Sequence, residues 1–256
     1  MKLEVHILTN DADWILPWTL RHYGSYGAKM IIHDGGPSWS KTGTTAQLAE
    51  AHGAEVIPWD TAGELNDSLA IKLKNECWKG TDADWVITCD ADELIYFPMG
   101  HEGTLEAYSR TGAAVIRPYG FEMFSDEMPT QGSRQIYDEI KNGAEDEKWY
   151  AKPILFSPKL VAESGLGMGA HESRAVLKDG RALFVGPKWP KANPKTLLLH
   201  FHQCGSLDQV AQRYDATRKR LAAINVANNW GNFEPGIDHA KRKRAFILPN
   251  LRQVVA

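Results

Sequence analysis

The sequence is short of cysteine, of long apolar runs and of net charge, and each shortage removes a class of protein. Its 256 residues include three cysteines, Cys77, Cys89 and Cys204, widely spaced and with no CxxC pair. An odd, unpatterned set argues against a disulfide framework and for reduced thiols in a cytoplasmic setting. No apolar run approaches 18 residues, so no transmembrane segment is expected. The opening "MKLEVHILTN" enters strand-like alternation at once, without the apolar core of a secretion signal. A formal charge of -3 leaves the chain as a whole no polycation for nucleic acid. The local exception is "HAKRKRAF", His239 to Phe246, which reads as a solvated helix face, with a phosphate, nucleic-acid or membrane contact as the alternative. Repeats and low-complexity linkers are also lacking, and the expectation is a single soluble, cytoplasmic domain over residues 1–256.

What is present is a regular alternation of two periods. Lys2 to Leu8 reads as a strand, and Trp14, Ile15, Trp18, Leu20 and Tyr23 fall at near-helical spacing. "AKMIIHDGG" is a short β-branched run closed by a tight turn, and "TGTTAQLAEAHG" a helix ending on glycine. "AEVIPWD", "ELNDSLAIKLKNECWKG" and "ADWVITCD" continue as strand, helix and strand. This β-α-β-α-β-α-β order is the signature of a mostly parallel, Rossmann-type α/β sheet flanked by helices. After Phe97 the pattern loosens into an elaborated second half. There "TLEAYSRTG" reads as a helix and "AAVIRPYGFEMF", "KPILFSP" and "TLLLHFHQ" as strands. Ser125 to Trp149 reads as a loop, and Ser206 to Asn225 as one long helix with Ser206 as its cap.

The acids of "CDADE" close the fourth strand, where parallel sheets bind their ligands. Asp90 and Asp92 are two apart and share a side in extended chain, while Ala91 points into the body. Two carboxylates so placed repel unless a cation or a proton lies between them. Hard divalent cations suit that oxygen-rich setting, often with substrate phosphates completing the shell. A solvated strand end with surface acids is the plain alternative, and an isolated DxD does not decide between them.

Context decides further. The chain resembles family-2-like glycosyltransferases of the GT-A fold, in particular the group whose acidic motif reads DxDEF. "LTNDADWILPWTLRHYGSYGA" is similar to that family's first strand end and aromatic helix, with Asp11 in place of the usual Glu. "IIHDGGPSWS" resembles its next loop, with Asp34 and Ser38 matching, and "ADWVITCDADELIYFP" its acidic segment, with Leu94 where Phe is usual. "KPILFSP", "GAHES" and "LLLHFH" resemble later landmarks. The resemblance is close over residues 3–97 and loose over 150–220.

The resemblance implies a nucleotide-sugar donor, a UDP-sugar foremost, bound by a 1–97 half, with 98–256 facing the acceptor. It implies Mn²⁺ or Mg²⁺ on the diphosphate, with Asp92 as metal ligand and Asp90 touching the donor ribose, the metal or both. Thr9, Asn10 and Asp34 would lie by the nucleotide. His200 matches the family's late histidine and is the candidate further ligand; His202 shares its side of an extended segment. His171, in "GLGMGAHESR", is suited to a loop closing over ligand, and Lys152 and Arg174 are candidate phosphate partners. Glu93 reads as a supporting acid or the start of a helix. A carboxylate base is needed for inverting transfer, and Glu122 and Glu172 are the candidates. The QxxRW motif of processive members is absent, which argues against polymer synthesis. Among the tryptophans, Trp14, Trp18, Trp59, Trp78 and Trp85 are expected in the core, and Trp39 and Trp149 are candidates for stacking on a sugar. The acceptor stays open among a glycan, a protein, a lipid and a modified DNA base, the last kept by "KRKR". A nucleotidyltransferase also presents paired aspartates beside a parallel sheet, but "LTNDADW" lacks the Gly-rich phosphate loop of that class. A non-catalytic carbohydrate- or nucleic-acid-binding module is the remaining alternative.

Overall fold

The computed structural model describes residues 1–36, 43–130, 132, 134–231 and 233–255. Ser38 and Trp39 therefore lie outside the described residues. The first half follows the periodicity. Strand β1 (Leu3–Thr9), helix α1 (Leu16–Ser25), β2 (Lys29–Asp34), α2 (Thr44–Ala51), β3 (Glu55–Pro58), α3 (Asp67–Glu76) and β4 (Trp85–Asp90) alternate in order. The inner strands are apolar nearly throughout because both faces are covered; Val5, Ile7, Ile32, Val86 and Ile87 are all fully buried. Pro17 sits in the first turn of α1, where its missing N–H costs nothing. The Asn66 side chain caps α3, accepting from the Leu69 N–H at 3.1 Å.

The second half contains β5 (Glu93–Tyr96), α4 (His101–Thr111), β6 (Val115–Ile116), β7 (Tyr119–Ser125), α5 (Ile136–Glu139), β8 (Asn142–Glu145), β9 (Leu155–Phe156), β10 (Val161–Glu163), β11 (Ser173–Leu177) and β12 (Ala182–Val185). It ends with β13 (Leu197–Cys204), α6 (Leu207–Lys219), α7 (Ala223–Ala227), α8 (Gly236–Ile247) and β14 (Arg252–Gln253). The fold is mixed α/β, with sheets flanked by helices. The main sheet runs β3-β2-β1-β4-β9-β6, a second β14-β8-β7-β13-β5, and a third β10-β11-β12. β3, β2, β1 and β4 are parallel, while β9 joins β4 antiparallel.

Four expectations are corrected. Glu93 opens no helix; it opens β5, so "DADE" is the step by which the chain leaves one sheet for another. The strand expected over residues 113–124 breaks at Arg117-Pro118, because proline cannot donate to a ladder, and its parts join different sheets. The stretch 125–149 is not a plain loop: it contains α5 and β8, whose pairing with β7 no local pattern announces. The long helix expected from Ser206 stops at Lys219. There Leu65 N–H bonds the Arg220 carbonyl at 2.7 Å and Ala222 N–H bonds the Leu65 carbonyl at 3.0 Å, so a tertiary contact ends it.

Candidate active site

A cleft of about 440 Å³ opens at the C-terminal ends of β1 and β4, walled by α3 and α6. Asp90 and Asp92 both line it, and so do Thr9 and Asn10. The step between sheets is held from three sides. Ala91 N–H bonds the Leu8 carbonyl at 3.0 Å, Phe201 N–H bonds the Asp92 carbonyl at 3.0 Å, and the Thr19 hydroxyl donates to the Ala91 carbonyl. Ala91 is buried as alternation requires.

The two aspartates meet different partners. Asp90 faces Lys74 Nζ at 2.7 Å, and Lys74 projects from the sheet-facing side of α3 although only 3% exposed. Burial works against that ammonium, but Asp90 and Glu93 more than offset it and hold its pKa above the usual lysine value. Asp92 Oδ2 lies 3.1 Å from His202 Nδ1 and 3.5 Å from His200 Nε2. Burial opposes its charge too, yet His200, His202 and Lys152 hold its carboxyl well below the usual carboxylate range.

Behind them is a buried row of charge. Strand register sets Glu93, His200 and Glu122 side by side across β5, β13 and β7. Glu93 is fully buried, pairs with Lys152 Nζ at 2.5 Å, and accepts from the Asp90 N–H at 2.9 Å. Glu122 takes His200 Nδ1 at 2.8 Å and the Gln203 N–H at 3.2 Å. His200 is thus clamped between Glu122 and Asp92. Burial lowers its basicity, but the two carboxylates prevail and raise its pKa to about 9. A raised histidine stabilises fully below its ordinary pKa and loses that contribution as pH climbs through the raised one. The metal-free protein should therefore lose thermal stability between about pH 6.5 and 9. The His200→Gln protein should show a flatter melting profile across that window, and an unchanged profile would refute the clamp.

His202 is the imidazole that lines the cleft. Its Nδ1 is taken by Asp92, and its buried Nε2 has no hydrogen-bond partner among the described residues. Its ring packs against Tyr214 at 4.7 Å between centroids. Arg213 stacks its guanidinium over Trp14 at 4.2 Å, and Arg220 bonds Asp11 at 2.5 Å and also Asn10. Trp14 and Trp59, expected in the core, line the cleft instead, whereas Trp18, Trp78 and Trp85 are buried.

The other candidates lie off the cleft. Asp34 is buried at the end of β2, accepts from the Gly36 N–H at 3.0 Å, and has its pKa raised by burial. Lys152 stands behind the acids, 3.9 Å from Asp90. His171 packs edge-on to Trp149 at 4.9 Å, beside rather than on the lining formed by Gly169 and Ala170. Burial first, then Lys152, lowers its pKa to about 4. Glu122 is only 1% exposed and is not on the cleft lining; Glu172 sits 3.5 Å from Arg174, also away from the lining. Lys74, Arg213 and Arg220 were missed by sequence reasoning. Only Lys74 left a signal, as a lysine on the same helical face as Ala70 and Ile71.

Fold and cleft together define a mixed α/β protein with a cleft beyond the C-terminal ends of parallel strands. No protein family and no curated protein matches the sequence. Among solved structures, S. aureus TarS 1-349 in complex with UDP shares 14% identity, over 61% of this chain and 47% of that one, with a TM-score of 0.37. S. aureus TarS shares 12% over 95% and 42%, with a TM-score of 0.38. A CMP:2-keto-3-deoxy-manno-octonic acid synthetase complexed with CTP shares 12% over 99% and 89%, with a TM-score of 0.32. The chain spans less than half the length of these two TarS chains. Among the described residues no helix is long and apolar enough to cross a membrane.

Proposed function

We propose that the protein is a metal-dependent glycosyltransferase of GT-A type, moving a sugar from a nucleotide-sugar donor to an acceptor. The observation that carries this reading is Asp92 set 3.1 Å from His202, with Asp90 two residues before it on the same lining, in a cleft edged by Lys74, Arg213 and Arg220. Among the described residues the donor atoms of Asp90, Asp92 and His202 do not gather within 4.8 Å of one another, so the cation would draw them together; carboxylate and imidazole donors suit Mn²⁺, and Mg²⁺ less well. Asp92 and His202 would hold the cation, with Asp90 beside it; His200, one layer back, orients Asp92. Bound there, the cation supplies Lewis-acid stabilisation of the departing nucleoside diphosphate. Lys74, Arg213 and Arg220 add fixed positive charge for the same diphosphate in a site partly screened from water. Trp59 offers an aromatic face to a nucleobase at the β3 side of the cleft.

Both halves of the chain contribute, since Thr9, Asp90 and Asp92 precede residue 98 and His202, Arg213 and Arg220 follow it. The acceptor class among glycan, protein, lipid and modified DNA is narrowed at one end. In α8, Arg242 pairs with Glu234 at 3.1 Å and Arg244 with Asp126 at 2.7 Å, so half of "KRKR" is committed internally, which weighs against a DNA surface.

Calorimetry with UDP-, GDP- and other nucleotide sugars, with and without Mn²⁺, tests the reading. Expected is binding of one nucleotide class that strengthens at least tenfold with Mn²⁺, a gain of about 1.4 kcal/mol. Absence of binding by every nucleotide sugar overturns it in favour of a non-catalytic module. Release of pyrophosphate from a nucleoside triphosphate overturns it in favour of a nucleotidyltransferase.

A further inference from the structure

Beneath the cleft a second set of donors gathers that the reading above does not use. His6 lies in β1, His33 in β2 and Cys77 just past the last turn of α3, and one donor atom from each lies within 4.8 Å of the others. Among the described residues this is the one cluster of three such donors so close together. His6 and His33 are buried, and His6 Nδ1 stands 3.0 Å from His33 Nε2. Two nitrogens on one tetrahedral zinc ion, at about 2.0–2.1 Å each, lie about 3.3 Å apart. The imidazole pair is thus already near ligand spacing.

The surroundings resemble a metal's outer layer. The second nitrogen of His6, Nε2, meets Glu4 Oε1 at 3.0 Å, and Glu4 Oε2 is held by Lys29 at 2.9 Å. A carboxylate behind a histidine fixes the tautomer that leaves the other nitrogen free to ligate. Thr88, opposite His6 in the β1–β4 register, is fully buried, and its hydroxyl has no hydrogen-bond partner among the described residues. Cys77 is at the carbonyl end of α3, which favours positive charge. By hydrogen bonding the pair does not stand apart from a third buried histidine: His6, too, has both nitrogens partnered, Nδ1 by His33 and Nε2 by Glu4, and what distinguishes it is the Cys77 thiol within reach. His22 satisfies one nitrogen with the Ile95 carbonyl at 2.9 Å and the other with the Tyr137 hydroxyl at 3.3 Å.

We propose that His6, His33 and Cys77 form a second metal site, for zinc or a similar thiophilic transition ion, that clips β1, β2 and α3 together beneath the cleft. Two imidazoles and a thiol select against Mg²⁺ and for zinc-like ions. On binding, the thiol gives its proton to solvent and ligates as thiolate, while both imidazoles bind neutral. The fourth position is left to the Thr88 hydroxyl or to water. The clip acts on the same elements that build the nucleotide cleft. Cys77 is three residues after Lys74, and His33 immediately precedes Asp34.

Cobalt titration of the reduced, chelator-treated full chain tests the site without any activity assay. Expected is a thiolate-to-cobalt charge-transfer band that saturates at one equivalent and is bleached by zinc. Cys77→Ser should abolish the band, His33→Asn should weaken cobalt affinity at least about tenfold, and Asp92→Asn should keep the band intact. Because Cys77→Ser is informative only if folded, a second measurement uses wild-type protein. Zinc should slow alkylation of Cys77, mapped by peptide mass, at least about tenfold. Absence of the thiolate band, a band that persists in folded Cys77→Ser, or unprotected Cys77 would each overturn the proposal.

Discussion

Replacing Glu93 by glutamine should lower the melting temperature of the metal-free protein by roughly 6–12 °C. The carboxylate is fully buried and neutralises Lys152 at 2.5 Å while also facing Lys74. Removing one partner of a buried ion pair leaves the other charge uncompensated and costs about 3–5 kcal/mol. The lower end applies because Asp90 remains 3.9 Å from Lys152. For a chain of this size each kcal/mol moves the midpoint by about 2–4 °C. The pH dependence has a definite sign. Burial disfavours the Glu93 carboxylate, but Lys152, Lys74 and His200 win and lower its pKa to about 2. A depressed carboxylate stabilises above its ordinary pKa and loses that contribution as pH falls toward the depressed one. Wild type should therefore lose stability as pH falls from about 4.5 toward 2, and the Glu93→Gln protein should lose less over that range. Differential scanning calorimetry at pH 3 and pH 7 measures both effects. A midpoint within one or two degrees of wild type at pH 7 would sink this account of Glu93.

Asp92→Asn should remove the function at a smaller cost in stability than Glu93→Gln. Glu93 and Lys152 remain paired, and His200 keeps Glu122 at 2.8 Å, so the buried row survives. What goes is the anionic oxygen that meets His202 at 3.1 Å and His200 at 3.5 Å, and with it the stability that its depressed carboxyl contributes. Substituting residues that merely orient metal ligands typically costs 10–100-fold, so a ligand itself should cost at least about 100-fold in turnover. Mn²⁺ should also cease to strengthen nucleotide binding. Turnover of donor, by transfer or hydrolysis, is the kinetic readout, and circular dichroism confirms the fold. Full Mn²⁺ dependence in a folded Asp92→Asn protein would remove Asp92 from the site. The two neighbours thus separate cleanly, one read by melting and the other by metal response.

Much of the first half was legible because each element carries its own period. Helical spacing and β-branched runs alternate up to Asp90, and the parallel order follows from that alternation. The acids were legible for the same reason, as charge where an apolar strand stops. What hid was pairing between distant segments. Glu93 looked like the start of a helix because nothing local shows that β13 lies ready to pair with it. The β11–β12 hairpin was missed although Asp179-Gly180 sits between two apolar runs, and Gly180 takes the positive φ of 85° that such a turn needs. His200 was read as the candidate ligand and His202 only as sharing its side of the strand, yet it is His202 that lines the cleft, while Glu122 claims His200. Arg213 and Arg220 were unreadable. On a polar helix an arginine that caps a cleft is indistinguishable from one in water.

The contact of Arg220 with Asn10 and Asp11 joins positions more than 200 residues apart. The cleft has no local version: until nearly the whole chain is in place, its acidic floor exists without one of its walls. A ligand held there binds only the finished molecule, and so stabilises it by about RT ln(1 + [L]/Kd) against complete unfolding. A bound nucleotide would then act as a buckle on the entire chain, and resistance to proteolysis far from the cleft would report its occupancy.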